Sequence, residues 1–131
     1  MDDPEALMPF LGLVGIELLS AEPSLVCGRL EHAPERCTAG GLMHGGALMA
    51  LADSCGGMCA YLNLPEGAVG TSTIESKTNF LGAVREGAVS AVSKPLHVGA
   101  STIVVETELW RADGKLVGKT TQTQAVLHGR G

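Results

Sequence analysis

The stretch GGALMALADSCGGMCAYL, Gly45–Leu62, decides the fold, because Asp53 is the one charged residue in its eighteen positions. It is too long for an ordinary strand and apolar all the way round, so it reads as a helix buried on every side rather than an amphipathic surface helix. A bilayer span is the competing reading, since roughly 20 apolar residues suffice to cross. Four glycines, the aspartate and a strand-rich remainder without a second such stretch argue against it.

Ahead of this helix, residues 4–11 make a short opening helix. Residues 15–20 and 25–30 then read as two strands joined by the turn residues Glu22-Pro23-Ser24, a hairpin. Residues 31–42 carry His, Pro, Thr and a Gly-Gly pair without periodicity and read as a long loop. Behind the helix, after Pro65-Glu66-Gly67, strand chemistry takes over at 69–81, 88–97, 101–111 and 116–127, with Asp113-Gly114 as a hairpin signal between the last two. The order is hairpin, buried helix, then four strands expected as a meander. An α+β domain over residues 1–131 satisfies it: an antiparallel sheet of five or six strands wrapped around one long central helix.

Composition excludes several function classes. Of 131 residues, 45% are hydrophobic and 18% charged, which makes a compact globular chain. Aromatics at 3% and a net charge of -5 argue against nucleic acid as a partner. The start Met1-Asp2-Asp3-Pro4-Glu5 is acidic where a secretory signal is basic, so the expected location is cytoplasmic, with no membrane partner. Cys27, Cys37, Cys55 and Cys59 form no Cys-x-x-Cys pair and have no histidine at ligand spacing, so no metal site is expected. Cys55 and Cys59 share one helix face and read as small buried residues in a reducing compartment.

The loop-to-helix junction reads Gly40-Gly41-Leu42-Met43-His44-Gly45-Gly46, and adjacent glycines at a helix start are costly unless something must approach the backbone closely. Free N–H groups and a partial positive charge at a helix start stabilise an oxyanion formed when a carbonyl is attacked. His44 is either an N-terminal cap whose ring bonds a loop carbonyl or an acid–base group. A lone carboxylate on an apolar helix suffers desolvation, so Asp53 is read as a general base or nucleophile, with a structural bond to a neighbour such as Ser54 as the alternative. Gly45 and Asp53 are about 12 Å apart along one helix axis, too far to serve one carbonyl. If both serve one reaction they come from two copies of the chain, related by a two-fold axis.

The run Gly41-Leu42-Met43-His44-Gly45-Gly46 followed by Leu51-Ala52-Asp53 resembles the hotdog-fold thioesterases of the phenylacetic-acid-degradation type. The resemblance extends through Thr73-Ile74-Glu75 and Asn79-Phe80-Leu81 to nearly the whole chain. It implies a hotdog fold and hydrolysis of an acyl thioester, a coenzyme A ester first, by a homodimer or homotetramer without a cofactor. By the same resemblance Asp53 attacks the thioester or activates water, the Gly45 N–H polarises the carbonyl, and His44 is the motif histidine. Thr38 falls where the family commonly has Asn or Gln beside the nucleophilic water. Thr73 falls where relatives place a small hydroxyl residue, and Gly46, Asn79 and Phe80 join it as substrate-binding candidates. Relatives often carry basic residues for coenzyme A phosphates where this chain has Gly82 and Ala100, which leaves Arg85 as the candidate, with Lys94 or Arg36 behind it. Two other readings stay open: a hydratase or dehydratase on the same fold, and a non-catalytic acyl-thioester sensor or scaffold.

Overall fold

The structure is a computed structural model and describes residues 3–129, so Met1 and Asp2 of the acidic start lie outside the described residues. Two short helices, α1 (Pro4–Leu7) and α2 (Phe10–Val14), open the chain where one was expected. Pro9 causes the break, since it has no N–H to continue the first helix and sits instead as the N-cap of the second. Gly15, at φ 90, ends α2 in the left-handed conformation. The first strand accordingly starts two residues later than expected: β1 (Glu17–Glu22) pairs with β2 (Leu25–Glu31) across Pro23-Ser24.

The long helix, α3, runs Gly45–Leu62 as read from sequence. At its start the ring of His44 accepts the Gly46 N–H, and at its end Asn63 bonds the carbonyls of Cys59 and Pro23. Four strands follow: β3 (Ala68–Phe80), β4 (Ala88–Val98), β5 (Thr102–Arg111) and β6 (Leu116–His128). All pairings are antiparallel, in a six-stranded sheet of order β1-β2-β4-β5-β6-β3. The expected four-strand meander is therefore wrong in one member. Only β4, β5 and β6 meander, while β3 pairs with β6 at the far edge and β4 returns to β2. Crossing from β3 to β4 means passing two strands, about 14 Å, and the connection 81–87 extends to roughly 23 Å. Buried Val84 pins that crossing: its carbonyl accepts the Met43 N–H at 2.8 Å.

The sheet curls over α3, which touches all six strands. Leu48, Leu51, Cys55 and Met58 pack against Val26, Leu30, Ile103, Val105 and Leu109, and each large side chain fully withdrawn from water contributes about 1.5–3 kcal/mol. Helix and sheet approach closely at two points where one side has no side chain. A Cβ on Gly28 of β2 would stand 2.3 Å from the Cys55 sulfur, and one on Gly56 of α3 would stand 1.9 Å from Oε1 of Gln122. Cys55, sealed in this contact, has its thiol pushed up to about 12, chiefly by burial and then by Cys27 and Cys59.

Burial on every side, expected for the helix, does not hold in the single chain. The sheet covers one face, while Met49, Asp53 and Tyr61 stay exposed along the other. Among the described residues no helix is long and apolar enough to cross a membrane.

Candidate active site

The loop before α3 is held from three directions. The His44 N–H bonds the Arg36 carbonyl, Met43 bridges to Cys37, and the ring of His32 bonds the Gly41 carbonyl at 2.8 Å. Gly40 and Gly41 sit at φ 77 and 74 with open space around them. The backbone turn requires them. The close approach expected of the adjacent glycines at the helix start is found at Gly45, where a Cβ would stand 3.1 Å from Cζ of Phe80.

His44 caps the helix, but through its own turn: Nδ1 accepts the Gly46 N–H at 2.7 Å, rather than the ring bonding a loop carbonyl. That bond occupies the Gly46 amide. The N–H of Gly45, the first helical residue, is beyond reach of any intrahelical carbonyl and remains a donor. Thr38 is exposed, with its side chain making no cap bond to the short turn it precedes.

Asp53 projects from the outer stripe of α3 into a cavity of about 470 Å³. Leu7, Met8 and Phe10 of the N-terminal segment form one wall; Thr71 and Thr73 of β3, Gln124 of β6 and Tyr61 of α3 complete it. Although Asp53 is exposed in the single chain, the protein around its carboxyl removes enough water to raise its pKa above the ordinary 3.8. The Gln122 amide acts in the opposite direction and is the weaker influence. The alternative reading has Asp53 bonded to a neighbour such as Ser54; the bond found is to Gln122, whose Nε2 donates to Oδ1 of Asp53 at 3.4 Å. Next to it on β6, Gln124 donates to the Thr73 hydroxyl at 2.8 Å.

The structure thus brings Asp53 and Thr73 together and leaves other candidates elsewhere. His44 and Gly46 line a second cavity of about 530 Å³ with Arg36, Cys37 and Phe10. Arg85 is exposed in a third with Arg111, and unlike Arg111, which pairs with Asp113, it forms no ion pair among the described residues. Asn79 is exposed on β3 opposite Lys119 and lines none of these cavities. Among the described residues no group of three or more His, Cys, Asp or Glu is placed to hold a metal ion. Sequence reasoning missed Gln122, Gln124, Tyr61 and the N-terminal wall. The two glutamines lie in Thr120-Thr121-Gln122-Thr123-Gln124, polar in both phases of the strand, where no alternation marks the inward face.

The Thioesterase superfamily profile matches residues 40–118. The chain is 38% identical over 87 residues to 1,4-dihydroxy-2-naphthoyl-CoA hydrolase of Escherichia coli, covering 66% of this chain and 63% of that enzyme. Over the first curated relatives it matches, it spans only 59–63% of their length. Conserved protein PA5202 from Pseudomonas aeruginosa superposes at TM-score 0.86 with 32% identity over 97% of this chain and 100% of that one. A variant of thioesterase PA1618 from Pseudomonas aeruginosa does so at 0.88 with 28% identity, covering 98% and 96%.

Proposed function

The chain belongs to the thioesterase superfamily, and from that premise we propose that it hydrolyses an acyl thioester with Asp53 as general base or nucleophile. One observation carries the reading: the lone charge of α3 opens onto an apolar-walled cavity beside Thr73 and Gln124. The acyl group lies in that cavity. In the base reading, Asp53 takes a proton from water, the resulting hydroxide adds to the thioester carbon, and the carbon–sulfur bond breaks as the oxyanion collapses. The thiolate leaves without a strong acid because thiols ionise near neutral pH.

The oxyanion donor is the Gly45 N–H of a second copy, since about 12 Å of helix separates Gly45 from Asp53 in one chain. Two features support a homo-oligomer. β3 is a long edge strand with Val69, Ile74 and Phe80 exposed, and an unpaired apolar edge invites a second strand. Asp53 shares its cavity with that strand, so a copy docked there brings its own helix close to the carboxylate.

A coenzyme A ester is the first substrate to test, because a relative 38% identical is a hydrolase of one and Arg85 is an exposed cation without an ion pair among the described residues. Short-chain, medium-chain and aryl coenzyme A esters, each also offered as the pantetheine ester, are incubated with the protein while free thiol is recorded. Turnover of at least one ester is expected. Binding of these esters without thiol release would make the protein a sensor and overturn the proposal.

A further inference from the structure

Gln122 is fully buried between β6 and α3, yet its amide is only half used. Nε2 reaches Asp53 Oδ1 over a long 3.4 Å, and Oε1 is buried with no hydrogen-bond partner. An orphaned acceptor of this kind is costly. The site is nonetheless built for this side chain: Gly56, three residues after Asp53 on α3, opens the groove in which the amide lies, and a Cβ there would collide with Oε1. An apolar side chain of the same length would fill the groove without the orphan, so stability alone does not account for a glutamine.

Resting on the reading of Asp53 as the base, we propose that Gln122 is its positioning residue, an amide that serves both protonation states from one buried seat. Nε2 donates to the carboxylate before proton transfer. Once Asp53 has taken a proton from water, a half-turn of the amide about its last torsion presents Oε1 as acceptor for the new O–H. Oε1, orphaned in the resting state, then gains a partner while the NH₂ takes its buried place, so one end of the amide faces Asp53 in either state. No bond other than the water O–H is broken in this step, and the proton stays on Asp53 until it is returned.

The surroundings keep this exchange between two groups. Facing the carboxyl are Ser54, Gly57 and Tyr61 from α3, Gln124 from β6, and Thr71 and Thr73 from β3, while the N-terminal wall is apolar. Among the described residues lining the cavity, Tyr61 is the only other titratable group. By donating to the carboxylate, Gln122 opposes the upward pull of burial on Asp53.

The test is the pH profile of kcat/KM for Gln122→Met, which keeps length and removes both the donor and the acceptor. The acid limb should move up by about one pH unit or less, the difference between a hydrogen bond to the charged carboxylate and one to the neutral acid, with KM little changed. In the unsubstituted protein, the Gln122 side-chain NH₂ resonances should titrate together with the Asp53 carboxyl carbon, a readout needing neither turnover nor a variant. A Gln122→Met profile superimposable on that of the parent, or NH₂ resonances unmoved through the Asp53 titration, overturns the proposal. Full activity in Asp53→Asn would instead remove the underlying reading of the base.

Discussion

The ring of Phe80 lies against Gly45, close enough that a Cβ on the glycine would stand 3.1 Å from Cζ. The far end of β3 thus roofs the helix start whose N–H is the candidate oxyanion donor. Phe80 is 49% exposed, so the ring can yield by a few tenths of an ångström.

That contact shapes the first prediction. Gly45→Pro deletes the N–H at a helical position where proline is well tolerated, and Gly45→Ala crowds the same ring while keeping the donor. Loss of one oxyanion donor costs about 100-fold or more in kcat, so the proline variant should fall that far below the alanine variant. When Gly45→Pro and Asp53→Asn chains are unfolded and reassociated at random, about half the dimers are mixed, each with one intact site. Roughly a quarter of the parent activity should return. Mixed dimers verified by tags and still inactive would refute a site shared between two chains.

Asp53→Asn should lower hydrolysis by at least about 100-fold, the low end for a lost general base. Its stability should depend on pH in a fixed direction. The folded-state pKa of Asp53 is raised by burial, so its contribution is fully present below the ordinary value and is lost as pH rises through the raised one. The asparagine variant should therefore melt above the parent near pH 7, with a smaller margin near pH 4. A margin that grows on acidification would contradict the desolvation of this carboxyl.

Gly28→Ala should be among the most damaging small substitutions in the sheet. The added methyl meets the Cys55 sulfur at 2.3 Å and the Glu17 carbonyl at 3.2 Å, and overpacking of this kind costs about 1–3 kcal/mol. Chemical denaturation measures it. Pairing with Cys55→Ala should recover much of the loss, whereas additive losses would mean that the helix and β2 do not meet here.

His44→Ala removes the acceptor that Gly46 uses at 2.7 Å and should cost about 1 kcal/mol, as lost N-caps do. His44→Asn, with a side chain that caps well, should restore most of the melting temperature. Equal destabilisation by both would assign the histidine a contact other than the cap.

Much of this was legible along the chain because its causes are local. A run of apolar residues that opens at a capping His44 sets α3, and strand-forming residues bounded by turn residues set six strands to within a residue or two. The desolvation of one carboxylate on that run singles out Asp53 without any knowledge of its neighbours. Partner choice is different. Residues 81–87 are long enough to let β3 pair with β4 or cross to the far edge, and only the packing of the whole sheet, with Val84 pinned beneath it, selects the second. The stripe of α3 left exposed depends on where the sheet ends, and the meeting of Gln122 with Asp53 joins residues 69 positions apart across a groove opened by Gly56. No local pattern encodes such a meeting, because it is the sum of strand order, register and the volume a missing side chain leaves between two packed layers.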